Sequence, residues 1–465
     1  MADFRRSVVE AVSGGSSLAA LFVLPGGEGD RRVVAVLADP ASGSLGLTSA
    51  EVGHAYPALT PECPSAHLFE RALHEDEGIV PDGHPWLKPV RTTADERMFR
   101  IEGEEVHEVA VGPVHAGVIE PGHFRFQCHG ERVMHLEISL GYQHRGARRL
   151  LEGDGDARSL CVAETLAGDT TIGHATAFCE TREALHGVTV PARGLAIRAV
   201  ALELERVANH VGDLGALSGD VAFLPTASFC GRLRGDVLNL TAAICGSRFG
   251  RGLVVPGGVR FDVDERLASI LRERLATVSR DIRGAVELMW KTQSVTARFE
   301  GTSALAADVA VRVGLVGPAL RACGVGRDAR HDHPSGWYRF AHVPVATAEG
   351  GDVAARAWVR WLEVQRSIAF VDEQLRSLPG GPVRDEAPPR VPARRAVATA
   401  LVEAWRGSAC HVAATGSAGR VARHEAIDPS FHNWYGLALA MRGGDISDFP
   451  LCNKSFNLSY CGHDG

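Results

Sequence analysis

Residues 191–214 read PARGLAIRAVALELERVANHVGDL, and the period of this stretch decides the fold class. Ile197, Val200, Ala201, Leu204, Val207, Ala208 and Val211 recur at i, i+3, i+4, i+7, i+10, i+11 and i+14, one face of an α-helix. Trp361, Val364, Ile368, Val371 and Leu375 repeat the pattern, placing a second helix over about 352–375, and further helical stretches fall at 260–292 and 303–322. Upstream of about 145 the period is different. Met134, Leu136, Ile138 and Leu140 alternate with His135, Glu137 and Ser139, as a half-buried strand does, and Phe124, Phe126 and Cys128 supply a hairpin partner across Gly130. The expected class is α+β: a small N-terminal α/β module, then a large mainly helical domain with a β-hairpin start and short C-terminal strands.

The boundaries follow from composition. Residues 1–92 form the small module, with strands at 21–24 and 33–37 around Pro25-Gly26-Gly27 and a short helix at 66–74. Residues 93–107 are charged and without apolar period, so they read as a linker to a domain spanning 108–465. A Pro-rich stretch at 379–392 ends the helical pattern, and strands are expected at 396–404 and within 407–420. The tail, 445–465, reads as non-helical, yet Phe449, Leu451, Phe456, Leu458 and Tyr460 require that it be buried.

With 49 Lys+Arg against 56 Asp+Glu, the net charge of −7 offers no basic field for nucleic acid or an anionic membrane. No apolar run approaches the roughly 18–20 residues of a membrane span, and residues 1–15 lack the apolar core of a secretory signal. Ten cysteines without a Cys-x-x-Cys pair suit reduced thiols in the cytosol.

Candidate chemistry concentrates between 112 and 174. Gly112-Pro113-Val114-His115-Ala116-Gly117, Glu120-Pro121-Gly122-His123-Phe124-Arg125 and Gly141-Tyr142-Gln143-His144-Arg145-Gly146 set titratable groups beside backbone breakers, as a shaped pocket would. Turns carrying surface histidines are the plainer alternative. Glu203, Arg206 and His210 share one helix face, and Arg356, Arg360 and Glu363 another. Such trios are either solvated ion pairs or, if buried between helices, an electrostatic relay. Cys452, Cys461 and His463, or His174 with Cys179, are the nearest approaches to metal ligands; unliganded buried thiols are the alternative. No Gly-x-Gly-x-x-Gly, Walker or Gly-x-Ser-x-Gly motif occurs, which argues against nucleotide binding and acyl-transfer hydrolysis.

Taken in order, these blocks resemble a known family over nearly the whole chain. Glu70-Arg71-Ala72-Leu73-His74-Glu75 with Gly83-His84-Pro85 is similar to the 30 kDa module of respiratory complex I. Gly112-Pro113-Val114-His115, Pro121-Gly122-His123-Phe124-Arg125, His144-Arg145-Gly146, the set Arg198, Glu203, Arg206, Asn209 and His210, and Pro256-Gly257-Gly258-Val259 resemble the large subunit of group 4 membrane-bound nickel–iron hydrogenases. So do Gly317-Pro318, Leu320-Arg321-Ala322 and Gly351-Asp352 with Arg356 and Arg360. That subunit is of the formate hydrogenlyase and hydrogenase-4 type and is related to the 49 kDa subunit of complex I.

The resemblance implies two Cys-x-x-Cys pairs that hold nickel and iron. Here Ala167, Thr170, Ser459 and Gly462 stand at the four ligand positions, while Gly168 and His174 remain. The expectation is therefore a polar cavity without metal, lined by Asp169, His174, His115, His144 and Arg145, with Glu203, Arg206, His210, Arg356 and Arg360 as a relay. The family further implies a 4Fe-4S cluster in a small partner subunit, integral membrane partners, and a peripheral position on the cytoplasmic side of the membrane. Quinone stays open, because the histidine that contacts it in complex I aligns with Pro121. A hydrogenase with unorthodox ligands from Cys452, Cys461, Cys179 and His174, or a non-catalytic scaffold, are the other readings.

Overall fold

The buried residues of 191–214 include the ionisable Arg198, Glu203, Glu205, Arg206, His210 and Asp213, so the central helix has almost no solvent face. In a computed structural model, which describes residues 1–25, 31–91, 98–115, 120–153, 157–385 and 390–462, the chain is α+β. Pro25-Gly26-Gly27 in part, Ala116-Gly117 and His463 lie outside the described residues or partly so.

The N-terminal region is richer than the two strands and one helix expected. Helix α1 (Ala2–Ser13) covers an antiparallel sheet of β1 (Ser17–Pro25), β2 (Arg31–Asp39) and β3 (Ser44–Glu51), with α2 (His67–Glu77) beyond it. The third strand escapes a hydrophobic-period reading because its residues are half-buried or exposed on an edge. The core of this region continues into Leu401, Cys410, Val412 and Phe431, so the two halves share apolar contacts.

A second sheet follows, with β4 (Val106–Val111), β5 (His123–His129) and β6 (Arg132–Ser139) in order. The hairpin across Gly130 is as expected, but β4 begins at Val106, inside the stretch read as linker, and its half-buried or exposed residues hide the period.

The helical layer comprises α3 (Thr171–His186), α4 (Ala192–Asp220), α5 (Leu224–Cys245), α6 (Glu265–Lys291) and α7 (Val353–Arg376). Helix α4 runs through the middle, in contact with α5 on one side and α7 on another. At Gly215 a Cβ would lie 2.7 Å from that of Cys230, so glycine there is what lets α5 approach. Asp352 caps α7 by accepting from the Ala355 N–H at 2.7 Å.

The third sheet, β7 (Val397–Ala404), β8 (Gly407–Thr415) and β9 (Val421–Ile427), lies against α3. Helix α8 (Pro429–Met441) starts on Asp428, whose carboxylate accepts from the Ser430 N–H at 2.7 Å, with Pro429 in the first turn. The tail is buried as required, but the expectation that it is non-helical is wrong. Phe449–Phe456 is a helix, α9, with Phe449, Cys452 and Phe456 at i, i+3 and i+7, ended by Asn457 in the left-handed conformation. Its brevity and Pro450 conceal it in the sequence. Among the described residues no helix is long and apolar enough to cross a membrane.

Candidate functional site

The loop before α3, the β7–β8 turn and the residues after α9 meet at one place, and an arginine joins them. Arg406, in the β7–β8 turn, donates from Nη1 and Nη2 to the two oxygens of Asp169, at 2.5 and 2.9 Å, and from Nε to the Asn457 carbonyl at 2.5 Å. Its guanidinium lies 3.9 Å from the Trp405 ring centroid. The Trp405 indole N–H donates to the Asp169 carbonyl at 3.0 Å and to the Thr170 hydroxyl at 3.1 Å. Asp169 keeps part of its side chain in reach of solvent, whereas Arg406 is buried. A fork of two donors facing two acceptors is the strongest form such a pair takes.

On the far side of Arg406 stands Asp428. It caps α8 and accepts from His174 Nε2 at 2.8 Å, with both side chains buried. Burial pushes its carboxyl up, but the His174 hydrogen bond and charge, the Arg406 charge and the Ser430 side chain outweigh that and leave it below the ordinary range. Asp428 also decides what can stand at 462: a Cβ on Gly462 would fall 2.6 Å from its Oδ1. Ser459, at another position where the resemblance expects a thiolate, donates its N–H to the Ser430 hydroxyl at 2.9 Å. Thr170 is taken up by Trp405 and Arg406, and Ala167 is buried.

These residues do not fit a nickel–iron centre. Two hydroxyls, a methyl and a missing side chain offer no soft donor, and a carboxylate occupies the space beside Gly462. The cysteines proposed as substitutes are dispersed. Cys461 faces Ser459 and Glu120, Cys452 lies under Arg356, and Cys179 is buried on α3. Burial raises all three thiols, against the ionisation a metal needs.

Of the expected lining, Asp169 and His174 both border the Arg406–Asp428 cluster without touching each other. Arg145 donates to the Thr165 and Leu166 carbonyls at 2.8 and 3.2 Å, one residue short of Ala167, and its charge reaches Cys461. His115 donates to the Gly122 carbonyl at 3.0 Å in the loop whose Glu120 accepts from the Tyr460 N–H at 3.1 Å. His144 is exposed. The three therefore occupy the rim and the flanking loops, and only Asp169 and His174 reach the centre.

Behind the site lies a buried charge network. Arg206 donates to the Ala404 and Glu403 carbonyls at 3.0 and 2.6 Å, directly before Trp405, and to Glu203 at 3.1 Å. His210 packs edge-on to Trp405 and donates to Glu363 at 2.8 Å. Glu363 also accepts from Arg321 at 2.7 Å, which donates to Glu403 at 2.8 Å, while Arg330 joins Asp328 at 2.6 Å to Glu203 at 3.1 Å. The chain of contacts ends at Tyr338, whose hydroxyl donates to Glu203 at 2.6 Å. Burial raises the Glu203 and Glu363 carboxyls, but the arginines more than reverse it and both stay ionised. The trios are thus not solvated pairs; α4 has no water side on which they could be. Arg360 belongs to an adjoining cluster, donating to Asp213 at 2.7 Å. Arg356 is different in kind. It donates to Ser455, Gly351 and Ser303 and covers the Phe456 ring, so it clamps α9 rather than linking one carboxylate to the next.

Sequence reasoning missed Arg406, Asp428, Arg330, Glu403 and the histidines His411 and His424, and it quoted Arg321 only within a family motif. It also missed Glu205, a buried carboxylate that accepts from the Ile172 and Gly173 N–H groups at 2.7 and 3.1 Å. Burial pushes its carboxyl up to about 8, with the charge of Asp169 adding to the rise.

His210 gives a pH prediction. Burial holds its ring to about 4, below the ordinary 6.5, despite the Glu363 carboxylate. The unfolded chain takes up a proton there below about 6.5 and the folded chain does not until about 4, so this residue's contribution to stability falls as pH falls through that window. Urea melts at pH 7 and pH 5 should show that His210→Asn removes a dependence of about 1.4 kcal/mol per pH unit.

Comparison with known proteins defines the class as subunits of oxidoreductase complexes. Residues 220–401 match the family model described as respiratory-chain NADH dehydrogenase, 49 Kd subunit. The chain is 30% identical to formate hydrogenlyase subunit 5 of Escherichia coli (strain K12) over 434 residues, covering 87% of this chain and 76% of that one. It is 30% identical to the carbon monoxide-induced hydrogenase of Rhodospirillum rubrum over 352 residues, covering 76% and 97%. It is also 30% identical to an NADH-quinone oxidoreductase subunit of Chloroherpeton thalassium over 283 residues, covering 61% and 64%. The chain belongs to the family that unites the large subunits of membrane-bound hydrogenases with the 49 kDa subunits of NADH-quinone oxidoreductases.

Proposed function

We propose that the chain is a peripheral large subunit of a membrane-bound redox complex, on the cytoplasmic side, whose site holds no nickel or iron and answers electron transfer by changing its protonation. Residues 1–92 and 108–465 are its two modules. Its partners are a small subunit carrying a 4Fe-4S cluster and integral membrane subunits. The observation that carries the reading is the carboxylate of Asp428 beside Gly462, where a metal-binding side chain would have to begin. Two further features support it. Glu205, with a carboxyl at about 8 next to Asp169, can gain or lose a proton near neutrality. The network from Trp405 through His210, Glu363 and Arg321, then through Asp328 and Arg330 to Glu203 and Tyr338, lets a change of charge at the site be felt at the middle of α4.

The test is to purify the complex through this chain, identify its subunits and count its metals. Iron attributable to partner clusters, no nickel and no hydrogen uptake are expected. Nickel at one per chain, or hydrogen oxidation abolished by His174→Ala, would overturn the reading.

A further inference from the structure

The hydrogen bonds of His174 do not end at Asp428. Its Nδ1 lies 3.1 Å from His411 Nε2, and His411 Nδ1 lies 3.0 Å from His424 Nε2. All three rings are buried. The backbone explains the line. Thr171, His174, Phe178 and Arg182 follow one another along one face of α3, at i, i+3, i+7 and i+11. In the facing sheet His411 pairs with Ala426, and His424 sits two residues from it on the neighbouring strand, so both rings leave the same side.

We infer that Asp428, His174, His411 and His424 form a buried proton wire that leads from the candidate site to the α3 end marked by Arg182. The Asp428 carboxylate can only accept, so His174 carries its proton on Nε2 and presents a bare Nδ1. That lone pair fixes His411 as an Nε2–H donor, and His411 in turn fixes His424. The string then ends on His424 Nδ1, a buried acceptor without a hydrogen-bond partner among the described residues. At the same end Arg182 keeps Nε and Nη1 without a hydrogen-bond partner among the described residues, while its Nη2 donates to the Leu151 carbonyl at 2.9 Å. Unpaired donors and an unpaired acceptor are what an internal water needs in order to feed a proton into the string.

The transfer balances. A proton arriving from solvent bonds to His424 Nδ1, whose Nε2 proton passes to His411 Nδ1. The His411 Nε2 proton passes to His174 Nδ1, and the His174 Nε2 proton goes to Asp428. One proton has entered, one carboxylate has become neutral, and each ring has changed tautomer. Burial and the Arg182 charge keep His411 and His424 well below their ordinary values, so neither ring holds the charge in transit. The wire rests on the reading of the site as one that changes protonation, and supplies its proton.

NMR of the full chain with isotope-labelled histidine tests it. All three rings should be Nε2–H tautomers. In His424→Gln, which retains a polar side chain but cannot relay, exchange of the His174 ring proton with deuterated solvent should slow about tenfold or more. Backbone amides of α3 serve as the control for loosened packing. Unchanged or faster exchange, or a His174 protonated on Nδ1, would overturn the wire, and His411→Asn offers a second cut should the first variant not fold. Slowed exchange together with normal turnover in the purified complex would leave the wire standing and defeat the function proposed above.

Discussion

Glu363→Gln is expected to destabilise the chain by about 3–5 kcal/mol, the cost of leaving a buried opposite charge without its partner. Glu363 is the common acceptor of three donors, Arg321 at 2.7 Å, His210 at 2.8 Å and Arg206 at 3.4 Å, and all four side chains are essentially sealed from water. An amide of the same shape offers one oxygen and two N–H groups, so at least one of them must face an arginine that also donates. Set against a typical domain stability of about 5–15 kcal/mol, the loss is a large part of the whole. Denaturant melts would show it as a lower midpoint. Asp372→Asn is the control, because its pairs with Arg272 and Arg376 are partly exposed and such pairs contribute about 0–1 kcal/mol. Equal shifts for the two variants would mean that the network does not hold the helices together.

How far the sequence reveals this arrangement depends on period length. Helices α4 and α7 are plain because their apolar stripes run for about four turns each, and the hairpin of β5 and β6 because alternation survives on both strands. The polar faces of α4 mislead, since charge spacing cannot distinguish water from a facing helix; only the count of helices around α4 decides that Glu203 and Arg206 are buried. His411 and His424 are 13 residues apart in a hairpin, and their meeting depends on strand register, which a single sequence does not state. A signal existed for His411 alone, which stands among the small residues Ala409, Cys410, Ala413 and Ala414, whereas His424 sits between Arg423 and Glu425. Arg406 has no period at all, being one residue of a tight turn. Its role comes from what the loop before α3 and the segment after α9 bring to it from more than 200 and about 50 residues away.

Arg406→Lys should fold and yet cut turnover of the assembled complex by about 100-fold or more, the loss seen when a pre-aligned hydrogen-bond donor at a reacting site is removed. Lysine retains the positive charge but not the fork. It can satisfy one oxygen of Asp169 or the Asn457 carbonyl, not both oxygens and the carbonyl together, and it cannot lie flat on Trp405. Asp169 is then free to turn towards solvent, and the positive charge that helps keep Asp428 ionised moves away from it. The loss of that charge raises the affinity of Asp428 for a proton before any electron arrives, so the change in protonation left to accompany electron transfer is smaller. The structural component is limited, because Asp213 retains Arg360 and Asp428 retains His174 and the Ser430 amide. Turnover measured across pH separates the causes. A merely structural defect lowers the rate at every pH, whereas a misplaced charge shifts the pH at which the rate falls upward. Turnover within twofold of the unaltered complex would show that the arginine serves only to tie the tail to the turn.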